Sequence, residues 1–186
     1  MQSSLSKYGN PPTRSVLRGA LKPAAPSSCT DAGSRAQRRL ARTLVQPDSV
    51  IDAGMIQAYR ETHYEVHGAE PFTLRVDEPS PELAAAHRKH RTDCSAYITA
   101  CNPLSEDVGA EVNARRHTEL GRELARRSLA YTEGIGQHPS NQWPGEPSYL
   151  VFGLTLEAAR VLGRSLEQNA ILWSDADAVP RLILLR

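Results

Sequence analysis

Seven consecutive residues near the middle of the chain, Ser95-Ala-Tyr-Ile-Thr-Ala-Cys101, are apolar on both alternating faces apart from small hydroxyls. A strand with one wet face alternates apolar and polar; a strand apolar on both faces belongs in the interior of a sheet. Asn102-Pro103 ends the run abruptly, because Asn tolerates a turn and Pro removes the next ladder donor. Any fold for this chain must supply strands beside this one and layers above and below it.

The flanking sequence supplies both. Asp48 or Ser49 is placed to cap a helix in which Ile51, Met55 and Tyr59 recur every four residues. Residues 62–67 and 72–76 alternate around a turn at 68–71, a β-hairpin with His63, Glu65 and His67 on its wet face. Ser80-Pro81-Glu82 opens a second helix with Leu83 and Ala86 inward. After the interior strand, Ser105 is read as the cap of a helix of roughly 20 residues. Its inner stripe is Val108, Val112, Leu120 and Leu124, interrupted by Arg116. Its outer face of Glu111, Arg115, Glu119, Arg122 and Arg126 has the composition of a solvated exterior. A short strand at 129–132 leads into a Gly- and Pro-rich loop at 133–147. A buried strand then covers 148–154. Thr155 caps a last helix with Ala159, Val161, Leu162 and Leu166 inward, and strands at 169–173 and 182–185 finish the chain.

This pattern predicts an α+β fold with a single, mainly antiparallel or mixed sheet and helices packed on it. The C-terminal half is expected to be a split β-α-β unit: the strand ending at Cys101 lies antiparallel between the strands starting at Ser148 and Asn169. Residues 48–186 form the expected domain, and residues 1–47 a basic, Ser/Pro-rich mobile segment. The overall charge of +1 conceals that division. Residues 1–48 carry eight Lys/Arg against Asp31 and Asp48, so the remainder is net −5. The segment is a candidate contact for nucleic acid or another acidic partner by simple attraction, or a solvated tail. Tyr8 is its only aromatic, which leaves little for base stacking.

No window approaches the roughly 18 apolar residues of a membrane span, and no secretory leader pattern opens the chain. Cys29, Cys94 and Cys101 are too few for a disulfide framework, which points to a reducing, cytoplasmic setting. His87, His90 and Cys94 follow one another at helical spacing and are a weak candidate metal triple; no fourth ligand accompanies them. Gly134-Ile-Gly136 lacks the third glycine and following helix of a nucleotide fingerprint, and no cofactor is indicated.

Three runs together carry a resemblance: Ala96-Tyr-Ile-Thr-Ala-Cys-Asn-Pro103; Gly134-Ile-Gly-Gln-His-Pro139 with Trp143-Pro-Gly-Glu-Pro-Ser148; and Gly163 onward to Glu167-Gln-Asn-Ala-Ile-Leu-Trp173. Over roughly residues 49–173 the chain resembles a small bacterial family of unknown function, DUF family 3293. It departs from the family pattern at Cys101, where the family carries an aromatic residue. The resemblance implies a shared fold and a cytoplasmic setting, and it lends no activity.

The expected strand arrangement brings Asn102 to the sheet end where Glu146, Ser148, Gln168 and Asn169 begin other strands. Carboxamides, a hydroxyl and one carboxylate would converge beneath the 134–147 loop, with Trp143 as a wall or lid. That group suits recognition of a polar small molecule by a non-catalytic binding or interaction module. Equally, each side chain could serve structure alone, as turn caps, loop ties and a Glu146 pair with an arginine such as Arg164. An enzyme reading needs an acid–base pair, and Glu146 with His138 is the best on offer; Cys101 is the only plausible thiol nucleophile. The remaining partner candidates are nucleic acid through residues 1–47 and a second copy of the chain.

Overall fold

Helices begin where a side-chain oxygen stands ready for the unpaired first-turn amides. The computed structural model describes residues 50–140 and 144–186. Helix α1 (Ala53–Glu61) is capped by Asp52, whose carboxylate accepts from the Gly54 and Met55 amides at 2.8 and 3.3 Å. The start thus falls four residues beyond Asp48, just after the buried Ile51. Ser80 caps α2 (Pro81–His90) through Leu83 N at 3.1 Å, and Thr155 caps α4 (Leu156–Ser165) through Ala158 N at 3.3 Å, as expected.

Helix α3 departs from expectation. It spans Ala110–Arg126 and starts after Gly109, not Ser105. Ser105 instead ends a short 3-10 turn, Pro103–Ser105, in a left-handed conformation (φ 61°), and its hydroxyl meets Tyr59 at 2.8 Å. A serine committed to a tertiary contact is not available as a cap.

Seven strands form one sheet: β1 (His63–Val66), β2 (Phe72–Leu74), β3 (Ser95–Thr99), β4 (Tyr131–Gln137), β5 (Glu146–Phe152), β6 (Ala170–Ser174) and β7 (Arg181–Leu184). Their order is β2-β1-β4-β5-β3-β6-β7, and every pairing is antiparallel. The fold is α+β. β3 lies between β5 and β6, which α4 connects, so the split β-α-β unit forms as the pattern predicted.

The expected 133–147 loop is shorter than its glycines suggested: β4 runs to Gln137 and β5 begins at Glu146. Gly134 is a strand residue because of what crosses it. A Cβ there would lie 2.2 Å from the Glu65 carbonyl oxygen and 2.6 Å from the Tyr97 hydroxyl.

Tyr97 also reports the shape of the sheet. Its hydroxyl, on β3, donates to the Glu65 carbonyl on β1 at 2.9 Å, across β5 and β4. Three spacings in a flat sheet would cover about 14 Å, beyond the reach of a tyrosine. The sheet is therefore curled. Its two edges come together as well, since Asp77 N, after β2, donates to Pro180 O, before β7, at 2.7 Å.

Two cores result. On the outer side, α3 and α4 cover Ala96, Ile98, Val151, Ile171 and Trp173 with Leu120, Leu124, Ala159 and Leu162. Inside the curl, Leu83 of α2 joins Tyr64, Val66, Leu74, Tyr97, Leu150, Phe152 and Leu172. Val161, expected inward on α4, is instead 57% exposed, because the inner arc of α4 is filled by Ala159, Leu162 and Gly163. No helix among the described residues is long and apolar enough to cross a membrane.

Candidate functional site

The register of β3 against β5 pairs Thr99 with Ser148, so the chain leaving β3 passes directly over the start of β5. Asn102 adopts the left-handed conformation there (φ 46°, ψ 62°), which Asn tolerates better than most residues. It is held by Asn113, in the second turn of α3. Asn102 N donates to Asn113 Oδ1 at 2.9 Å, and Asn113 Nδ2 donates to Asn102 Oδ1 at 2.7 Å. The Asn102 carboxamide then has its NH2 group facing β5, where Nδ2 donates to Glu146 Oε1 at 2.7 Å.

Glu146 is half-buried at the start of β5. Burial pushes its carboxyl above the ordinary range, against the hydrogen bond from Asn102, which favours the charged form. The bond from Asn102 is the one hydrogen bond that reaches this carboxylate from the described residues. Among the described residues no donor reaches the second oxygen, Oε2.

The remaining predicted residues are close by but engaged. Gln168, buried, donates from Nε2 to the Cys101 carbonyl at 2.9 Å. Ser148 donates to the Glu146 carbonyl at 2.9 Å, tying down the strand that carries the carboxylate. Asn169 turns toward α1, donating to Ser105 Oγ at 2.9 Å. The convergence expected at this sheet end therefore resolves into an Asn113–Asn102–Glu146 relay with supporting ties around it. Arg164 is not a partner of Glu146; its Nε donates to the Leu185 carbonyl at 3.4 Å.

Among the described residues no hydrogen bond joins His138 to Glu146. His138 Nδ1 lies 2.7 Å from Ser140 Oγ, and Nε2 lies 3.3 Å from Glu61 Oε2, so its ring is used by α1 and its own loop. Burial also pushes the Cys101 thiol up, which opposes the thiolate a nucleophile requires. The metal triple does not gather either. His87, buried, contacts Ser95 Oγ at 2.9 Å, and His90 stacks on Phe152 at 3.9 Å, both on the α2 side. Cys94 belongs to the core under α3 and α4, on the other side of the sheet. Among the described residues no three His, Cys, Asp or Glu side chains are grouped to hold a metal. Trp143, Cys29 and the basic segment 1–47 lie outside the described residues.

Sequence patterns missed Asn113 and gave Tyr59 and Ser105 only the roles of a helix-stripe residue and a cap, since their actual contacts join distant segments. Arg116 did leave a signal, as a charge on an apolar stripe. It reaches down from α3 to donate from Nε to the Ala100 carbonyl at 2.7 Å and from Nη2 to the Leu166 carbonyl at 2.8 Å. Those acceptors lie at the end of β3 and just after α4, so Arg116 fixes both approaches to the site.

Residues 98–171 match the family described as "Protein of unknown function (DUF3293)". The match starts within β3 and ends within β6, narrower than the 49–173 expected, and it contains Asn102, Asn113, Glu146 and Gln168. No curated protein and no solved structure matches the chain.

Proposed function

We propose that this protein is a non-catalytic binding module of the bacterial cytoplasm that takes a polar small molecule at the end of β3, against Glu146. The carrying observation is the Glu146 carboxylate: one oxygen is oriented by Asn102, and the other has no hydrogen-bond partner among the described residues. A half-buried carboxylate is costly without compensation, and a donor from a ligand supplies it. The engagement of both His138 ring nitrogens by Ser140 and Glu61 supports binding over acid–base turnover.

The test is an NMR titration of the full 15N-labelled chain with acetamidinium, its neutral isostere acetamide, and acetate. Probes of four heavy atoms bind at best at about tens of micromolar and mostly far more weakly, a range in which chemical shifts are the suitable readout. Acetamidinium should move the Asn102 and Gln168 carboxamide signals saturably, acetate should not, and Glu146→Gln should abolish the response while the rest of the spectrum persists. Silence of these signals toward all three probes, or an undiminished response in Glu146→Gln, would falsify the reading.

A further inference from the structure

Asn102 lies between two partners with opposite demands. Its backbone N–H is taken by Asn113 Oδ1, and its side-chain oxygen is taken by Asn113 Nδ2. With that oxygen claimed, the NH2 group must face Glu146, and Glu146 must present an acceptor. An Asn102 carboxamide turned the other way would place oxygen against oxygen, and Glu146 would then need a proton. We propose that Asn113 is the positioning residue of this site: by holding the Asn102 carboxamide in one orientation it keeps Glu146 an acceptor, and so selects ligands bearing a cationic N–H donor, an ammonium or amidinium group.

This selectivity rests on the reading of Glu146 as the ligand carboxylate; the positioning itself is testable without any ligand. The groups that share the field of Glu146 do not obscure it. Burial pushes up both the Tyr64 phenol on β1 and the Cys101 thiol after β3, so both stay neutral while a carboxyl titrates.

The experiment uses Asn113→Asp in the full chain, with the Glu146 carboxyl followed by 13C NMR as pH is varied. Aspartate at this position accepts the Asn102 backbone N–H but offers no donor to its side-chain oxygen. The Asn102 carboxamide should turn over, giving its NH2 to the new carboxylate and its oxygen to Glu146. Glu146 then takes a proton from solvent and donates it to that oxygen. The titration midpoint of Glu146 should rise by about one pH unit or more, and the acetamidinium response at neutral pH should weaken.

A new negative charge could raise the midpoint directly, and Asn102→Gly separates the two causes. Glycine keeps the left-handed backbone and removes the carboxamide. In that background Asn113→Asp should add little to the midpoint; an equal rise there overturns the positioning role, as does an unchanged midpoint in folded Asn113→Asp. Should Asn113→Asp fail to fold, Asn113→Ala serves, with a smaller rise expected and none in the Asn102→Gly background. A wild-type chain silent to all probes, with the midpoint shift intact, would overturn the ligand reading and leave the positioning standing. Probe binding indifferent to Asn113→Asp would do the reverse.

Discussion

The two sides of the sheet are built on different principles. Under α3 and α4 the buried side chains are almost entirely aliphatic, including Ile98, Leu120, Leu124, Val151, Leu162 and Ile171. Polar links inside this core include Trp173 Nε1, which donates to the Leu154 carbonyl at 3.0 Å, and Cys94 Sγ, which contacts the same oxygen at 3.4 Å. Inside the curl aliphatic side chains again fill most of the space, but two tyrosines add directional bonds. Tyr64 and Tyr97 meet edge to face at 5.4 Å, and their hydroxyls donate to the carbonyls of Tyr59 at 2.7 Å and Glu65 at 2.9 Å. Apolar packing sets how much surface is buried but tolerates small rotations, whereas a hydroxyl bonded to one carbonyl fixes a position. The outer core therefore supplies most of the stability, and the inner core sets the curl that brings β1 over β5 and the two sheet edges together.

That contrast predicts a ranking. Leu124→Ala, at a fully buried position on the outer side, should cost about 2–5 kcal/mol in urea unfolding with no local change in the hairpin. A cost under about 1 kcal/mol would mean that the outer core does not dominate. Gly134→Ala should come next, at about 1–3 kcal/mol. Its Cβ meets a backbone oxygen, which cannot rotate away, so hydrogen exchange should rise specifically along the β1–β4 pairing. Tyr97→Phe removes one hydroxyl and should cost about 1 kcal/mol. If the curl depends on that bond, the loss is accompanied by faster exchange of the Asp77 amide, which links the two edges. Unchanged exchange there would make Tyr97 ordinary packing.

The smallest expected effect is one of pH, and each side contributes one histidine. His87 inside the curl and His117 on α3, stacked on Tyr149 at 4.2 Å, each have a buried Nδ1 without a hydrogen-bond partner among the described residues. Burial pulls both below the ordinary imidazole range. The unfolded chain then binds more protons than the folded one between the lowered values and about 6.5, so stability is full above that range and falls as pH drops through it. His87→Asn should remove more of this acid sensitivity than His117→Asn, because His87 is only 4% exposed. The opposite order in unfolding curves at pH 7 and 5.5 would reverse the assignment.

Much of the fold was legible because its signals are local. Ser80 and Thr155 cap the helices they precede, and the both-faced apolar run 95–101 lies between two other strands as its pattern requires. Ser105 and Gly134 misled for the same reason: a residue type that favours a cap or a turn was taken up by a distant partner. In the site, Asn102 and Glu146 could be placed at the same sheet end from strand direction alone, since antiparallel register carries the end of β3 over the start of β5. Asn113 could not, because its position depends on where α3 begins, and that moved when Ser105 bonded to Tyr59 and Asn169.

The α+β class, the split β-α-β unit and the sheet end at which the polar residues collect all follow from local sequence pattern. Periodicity, caps and breakers act over a few residues, so they can be read without knowing what lies opposite. That Glu146 bonds to Asn102, while His138 and Arg164 bond elsewhere, emerges from packing between distant segments. The curl, held by Tyr97 reaching across two strands, was likewise decided there. A hydrogen bond depends on distances of tenths of an ångström and on the direction of each lone pair, and those are set only when every neighbouring element has been packed.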